Sequence, residues 1–441
     1  MVDIKIQKMH IMRNSLWSMI VCAVLMLSIT SCSKEYFDQD SYEELIKSAF
    51  PVDNIDSSHD WNTITSADVK VSVNQTSGET YTVRVYEQDP STNKDLTILA
   101  EGNVVSGNTL TTSMTYPTVD RTFYVARIDG DGYRQVKSAQ VSDGTLSVNF
   151  TSNDTQQTKE TNSTSYFSWR YIFEGNFPQP GDYDFNDLVL TVTRQTDLDD
   201  PTTVYLTVSL DAIGTTSPIG AAIHISGLAP SDLSSIRTSN NFAFYQYSNV
   251  SKIKEEDNGY TTAYNGDVVI PLFNDAHYAL SRGGSIVHGS QAYYYYNTVK
   301  DTSSVYYLSS REDYPAVVSY TIKCKSETTA KNITPETIDA FIVTQYNGAF
   351  WETHAAPYKK FEVLYLYRNS DYQYSYSDNY PWALQVPGNF KYPIEGTPIG
   401  KYKDGTNTGA YCTSGHSFGE WAEDEDQAQD WYSYPSSDYV Y

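Results

Sequence analysis

The sequence predicts an all-β protein: an immunoglobulin-like sandwich followed by a larger, jelly-roll-like β-sandwich domain. Three observations carry this. Apolar residues alternate with polar ones at period two in most segments. The chain holds 39 Tyr together with many Thr and Ser, while Leu and Ala are sparse, a composition that suits strands. No strand-helix-strand alternation is visible, so a nucleotide-binding α/β fold does not fit.

In chain order, Lys5, Lys8 and Arg13 precede an apolar run from Leu16 to Ile29, closed by Thr30-Ser31-Cys32. A basic head, a short apolar stretch and small residues before a cysteine read as a secretion signal over residues 1–31, not a bilayer span. Ile29-Thr30-Ser31-Cys32 resembles a bacterial lipobox. That resemblance makes Cys32 the lipid-bearing first residue of the mature chain, anchored to a membrane without crossing it. Losing Lys5, Lys8, Arg13 and Asp3 moves the formal net charge from -24 to -26. Such a balance repels nucleic acid and anionic headgroups and favours divalent cations, so DNA and RNA are set aside as partners.

Residues 32–63 read as a tether with one short helix, Ser41 capping Tyr42 to Phe50. Glu35, Asp38 and Asp40 loosely resemble signals that send Bacteroidota lipoproteins to the outer face. The expected address is therefore the outer membrane, at the cell surface more than on its periplasmic side. Ser58-His59-Asp60-Trp61-Asn62 reads as a turn whose Trp packs on the domain behind it, with a metal role for His59 and Asp60 as the weaker alternative.

Residues 64–155 carry the immunoglobulin-like pattern. Val69, Val71 and Val73 alternate with polar residues, as do Tyr81, Val83 and Val85, then Leu146, Val148 and Phe150. Asp129-Gly130-Asp131-Gly132 is a tight hairpin turn that needs no ion. Residues 151–163, without apolar period, read as a linker, and the second domain is expected over residues 156–441. There, alternation marks strands at Val204 to Leu210, Val268 to Leu272, Val317 to Cys324, Phe341 to Val343 and Phe361 to Tyr367. Thr334 is expected to cap a short helix over Pro335 to Ile338. Alternation also puts Cys324 on an apolar face, leaving a buried thiol and a disulfide with Cys412 both open.

The densest set of hard ligands is Gly181-Asp182-Tyr183-Asp184-Phe185-Asn186-Asp187, which runs into the apolar strand from Leu188. If it stays extended, Asp182, Asp184 and Asn186 share one side, with Asp187 joining if the loop curls and Glu174 the nearest upstream acid. Oxygen ligands at that density suit Ca2+. A turn whose carboxylates cap backbone N-H groups is the alternative. The crowding of acids with no nearby Lys or Arg tips the balance towards a cation. The segment is not an EF-hand, because Asp187 replaces the Gly and Thr193 the final Glu.

Phe173-Glu174 and Gly181 to Asp187 resemble the acidic segment of the LruC-domain family of Gram-negative lipoproteins common in gut Bacteroidota. Further matches come in order: Gly220-Ala221-Ala222 to Gly227-Leu228, Leu272-Phe273-Asn274, Phe341-Ile342 with Glu352-Thr353-His354, Pro381-Trp382-Ala383 through Val386-Pro387, Tyr392 to Glu395, and Phe418, Trp421-Ala422 and Trp431-Tyr432. Gly175 departs from the pattern, standing where an acid is expected. The resemblance covers roughly residues 160–441 and implies a fold and an address, with no established activity.

Gly415-His416-Ser417-Phe418-Gly419 fits G-x-S-x-G, but no apolar strand precedes it and no His comes after Ser417, so it is read as chance. His224 and His354 are each open as metal ligands and are more simply surface or structural. No catalytic residue is assigned, and the expected role is non-enzymatic: a calcium-stabilised module binding a glycan or a surface protein. Tyr293, Tyr294, Tyr295 and Tyr296 are candidate ligand contacts, although strand burial of alternate rings explains them as well. The alternatives are a polysaccharide-active enzyme using paired carboxylates and a structural assembly anchor.

Overall fold

A computed structural model describes residues 52, 55, 59–154, 158–177, 181–239, 253, 259–281, 295–304, 316–346, 349–355, 381–400 and 409–441. The signal segment, Cys32, the tether helix, Tyr293, Tyr294 and the strand expected over Phe361 to Tyr367 lie outside these residues.

The first sandwich is built from β1 (Ile64–Asn74), β2 (Thr80–Tyr86), β3 (Asp95–Val105), β4 (Thr109–Pro117), β5 (Phe123–Ile128), β6 (Tyr133–Ala139), β7 (Val141–Ser142), β8 (Thr145–Thr151), β9 (Thr158–Lys159) and β10 (Ser163–Tyr166). One sheet runs β4-β1-β8-β7 and the other β10-β3-β2-β5-β6-β9. Alternation is realised directly: Val69, Val71 and Val73 of β1 face Tyr81, Val83 and Val85 of β2 across a common core, all six buried. Each such side chain contributes about 1.5–3 kcal/mol on burial. The turn at Asp129 closes the β5-β6 hairpin, its Oδ1 accepting from the N-H groups of Asp131 and Tyr133.

The stretch expected as a linker differs from its reading. β9 pairs with β6, and β10 lies parallel to β3 with Ser163 opposite Asp95. These edge strands therefore extend the first sandwich to Tyr166, beyond the expected boundary at 155. Their hydrogen bonds come from the backbone, so exposed Ser163, Thr164 and Ser165 give no apolar period to read.

The second sandwich packs the sheet β15-β18-β13-β12-β11-β21 on the sheet β16-β17-β14-β19-β20. Its strands are β11 (Ser168–Phe173), β12 (Leu188–Thr196), β13 (Thr203–Ala212), β14 (Gly220–Ile225), β15 (Leu233–Thr238), β16 (Thr261–Thr262), β17 (Val268–Phe273), β18 (Ala316–Cys324), β19 (Ile338–Tyr346), β20 (Ala349–His354) and β21 (Ala383–Pro387). Leu190, Val192, Leu206 and Val208 meet Ile223, Ile270 and Ile342 in its core. Two hydroxyls tie the sheets together: Tyr171 donates to Ile338 O at 2.7 Å and Tyr320 to Pro271 O at 3.2 Å. Cys324 and Cys412 are buried thiols, not joined in a disulfide.

Helices are short: α1 (Ala276–Ser281), α2 (Glu327–Lys331) and α3 (Phe418–Glu423). The helix expected after Thr334 is a turn, in which the N-H groups of Thr337 and Ile338 both bond Thr334 O before β19 begins. The helix forms earlier, at α2, where Ser326 caps by accepting from Thr329 N-H at 3.1 Å. Among the described residues no helix is long and apolar enough to cross a membrane.

Trp61 is fully buried, stacked on His59 at 4.0 Å and edge-on to Trp421 at 5.6 Å. The turn before β1 thus packs on the C-terminal aromatic residues of the second sandwich. Thr63 N-H bonds Gln385 O at 3.0 Å and fastens it to β21.

Candidate metal centre

The acidic loop joins β11 to β12, and it is not extended. Tyr183 and Phe185 both take left-handed backbone angles, φ 56° and 51°. That conformation costs a non-glycine residue about 1–2 kcal/mol. Burial offsets the cost: both rings are fully enclosed, Tyr183 beside Trp382 and Phe185 beside Phe418. Curling turns Asp184, which lies between them, inward.

Carboxylate oxygens of Glu174, Asp182 and Asp184 lie within 4.8 Å of one another. Glu174 is fully buried and Asp184 is 2 % exposed, while Asp182 reaches solvent. Glu174 Oε1 accepts Phe185 N-H at 2.8 Å, but Oε2 has no hydrogen-bond partner among the described residues. Asp184 accepts from Asn186 N-H at 3.2 Å and Gly396 N-H at 2.8 Å. Asn186 donates its amide to Pro393 O, leaving its buried Oδ1 without a partner among the described residues. Asp187 stands beside this group, accepting Gly175 N-H at 2.6 Å. A side chain at Gly175 would press on that carboxylate, its Cβ falling 3.2 Å from Oδ2, which accounts for a glycine where an acid was expected.

Burial, reinforced by Asp187 and Asp182, pushes Glu174 well above the usual carboxylate range. Asp184 is pushed up by burial and then by Glu174 and Asp182. Asp187 is raised to about 7, mainly by burial. These are acids brought together, and among the described residues no positive side chain balances them.

Glu395 was missed as a site residue. It lies more than 200 residues downstream of the loop, and nothing in sequence spacing connects the two. Its carboxyl is raised to about 8 by burial and then by Asp182 and Asp187, with hydrogen bonding from Thr298 and Tyr295 opposing, and its Oε2 alone is buried without a partner among the described residues. The donor set fits a hard cation: oxygens only, several of them charged, and no His or Cys in the group. Ca2+ takes oxygens at about 2.3–2.6 Å, so ligands within a few ångströms of one another suit it.

Other predicted residues are placed differently. Ligand atoms of His59, Asp60 and Glu425 also cluster within 4.8 Å. Yet His59 Nδ1 accepts Trp61 N-H at 3.1 Å, and its other nitrogen, necessarily protonated, donates to Trp421 O at 3.0 Å. With both nitrogens used, the ring holds the turn. Tyr296 is buried and exchanges backbone hydrogen bonds with Ile213, so its ring offers no platform, and Tyr295 is half-buried.

His224 and His354 are buried in a chain of ionisable groups on β14, β19 and β20 and at the start of β17. Asp267 meets His224 at 3.1 Å, His224 approaches Asp339 at 3.5 Å, Asp339 meets His354 at 3.0 Å, and His354 meets Glu352 at 3.3 Å. Burial opposes charge on His354, but Asp339 and Glu352 outweigh it and raise the ring to about 9. The two carboxylates thus hold the ring towards its charged form.

Ser417 caps α3, its Oγ accepting Glu420 N-H at 3.1 Å and bonding the Glu420 carboxylate at 2.9 Å. Ser417→Ala is expected to cost about 1 kcal/mol in denaturant melts, as loss of a helix cap does.

The fold and this group of acids define a two-sandwich β protein with a largely buried cluster of oxygen ligands between a loop and its C-terminal segment. The chain belongs to the family described as a domain of unknown function, DUF4842, whose model matches residues 201–432. The matched span takes in Glu395 and the histidine chain and begins after the acidic loop. Among solved structures, the chain is similar to a candidate lipoprotein from Bacteroides ovatus, with 15% sequence identity, a TM-score of 0.46, and coverage of 81% of this chain and 98% of that one. No curated protein matches the chain.

Proposed function

We propose that this is a lipid-anchored outer-membrane protein of LruC type, displayed at the cell surface, whose second sandwich is held in shape by one Ca2+. Its role is adhesion or binding of a glycan or protein, without catalysis. The carrying observation is the set of buried oxygens on Glu174, Asn186 and Glu395 that lack partners among the described residues, beside Asp182, Asp184 and Asp187. Unpaired charge at that depth is costly unless a cation sits among the acids. The lipobox at Cys32 and the acidic residues after it support the address. A polysaccharide-active enzyme would need its acids open to a sugar, and Glu174 and Asp184 are closed to solvent.

Calorimetric titration of the metal-stripped chain with CaCl2 is expected to show one binding site. At a free Ca2+ concentration one hundred times Kd, the stabilisation is about 2.7 kcal/mol. Spread over a chain of this length, that raises Tm by about 3 °C. No binding heat together with an unmoved Tm would sink the proposal.

A further inference from the structure

We infer that Glu395 is a ligand to the same cation, and that the ion thereby acts as a clasp fastening the C-terminal segment to the second sandwich. This rests on the Ca2+ reading above and goes beyond it, because it adds a ligand from a distant part of the chain and gives occupancy a structural consequence.

The loop and the segment around Glu395 are joined at three points. Asn186 donates its side-chain amide to Pro393 O at 3.2 Å, Gly396 N-H donates to Asp184 at 2.8 Å, and Ile399 N-H donates to Tyr183 O at 2.7 Å. Two of these bonds involve residues in the cation group itself, Asp184 and Asn186. They bring the backbone on either side of Glu395, whose own N-H is fixed to Thr298 O at 3.0 Å, up to the acids, while its carboxylate stands just outside the 4.8 Å group of Glu174, Asp182 and Asp184. Its Oε2 is buried without a partner among the described residues, as are Glu174 Oε2 and Asn186 Oδ1 on fully buried side chains. Without a cation, that buried Glu395 oxygen has nothing among the described residues to bond. With one, its carboxylate moves in to complete the coordination.

The chain beyond Glu395 depends on this join. Tyr411 N-H bonds Ile399 O at 2.6 Å, Phe418 N-H bonds Tyr411 O at 3.1 Å, and Ile394 N-H bonds Tyr439 O at 2.9 Å. The aromatic cluster rests on that ladder, with Phe418 5.0 Å from Trp431 and Trp421 5.6 Å from Trp61. A clasp at Glu395 therefore reaches the residues that hold the turn before β1.

The test is hydrogen exchange on the full chain, in EDTA and in saturating CaCl2, paired with calorimetry of Glu395→Gln. Ca2+ is expected to slow exchange across 409–423 and 431–434 by at least tenfold. The variant should bind Ca2+ at least tenfold more weakly, yet melt in EDTA no lower than the unaltered chain, since Gln keeps the shape of the side chain and lacks only the charge a cation would need. That combination separates a ligand from a residue that only packs. Ca2+ that binds with wild-type affinity to the variant, or binds without changing exchange in 409–434, overturns the clasp and leaves the Ca2+ site standing. A variant that melts lower in EDTA makes Glu395 a packing residue and overturns the clasp as well. Absence of any binding heat removes both.

Discussion

Gly214→Ala is expected to cost about 3 kcal/mol of stability and to weaken Ca2+ binding more than tenfold. The new Cβ would lie 1.7 Å from Asn186 Oδ1 and 2.8 Å from the Asn186 backbone oxygen. Neither atom has room to withdraw. The side chain is enclosed and held through Pro393 O, and Gly214 N-H is itself bonded to Asp187 O at 3.3 Å. Overpacking of this kind costs about 1–3 kcal/mol, and contact with backbone places this case at the upper end. Gly181→Ala acts on the other wall, its Cβ falling 1.8 Å from Glu174 Oε2 while Phe185 N-H pins the other oxygen. Urea melts with and without Ca2+ separate the two effects. Wild-type stability and affinity in Gly214→Ala would mean that Asn186 does not stand where the structure puts it.

Replacing His354 with Ala is expected to cost about 3–5 kcal/mol near neutral pH, because Asp339 and Glu352 are left buried without their shared cation. The pH dependence comes from the raised ring. A histidine whose folded pKa lies at about 9 adds stability that is fully present below its unfolded value near 6.5 and is lost as pH rises through 9. The lost linkage amounts to about 3 kcal/mol, so the gap between wild type and variant should narrow between pH 6.5 and 10. The comparison belongs in saturating Ca2+, since the raised Asp187 and Glu395 carboxyls also destabilise the metal-free chain as pH climbs towards 8. A gap that stays constant with pH would show that His354 carries no charge in the folded chain.

Much of the fold was legible because it depends on local alternation. Val69, Val71 and Val73 declare their face within a few residues, and burial matches the declared face. The density of oxygen ligands between Gly181 and Asp187 was equally local. What escaped depended on distance or on backbone choice. Glu395 belongs with the acids only through a long excursion of the chain. Left-handed Tyr183 and Phe185 break the rule that non-glycine residues avoid that region, and only burial of their rings sustains it. β9 and β10 pair through backbone groups that polar side chains do not reveal. Thr334 carries a plausible helix cap, but Thr337 Oγ1 bonds Thr334 O and closes a turn there, while the helix that does form is the preceding one, capped by Ser326.

The most direct measurement is a crystal structure of the chain grown in CaCl2, with anomalous diffraction to locate the ion. The account predicts one Ca2+ peak among Glu174, Asp182, Asp184, Asn186 and Glu395, at about 2.3–2.6 Å from their oxygens. Carboxyls hydrogen-bonded to one another with no peak among them, or Ca2+ held only elsewhere on the molecule, would contradict it.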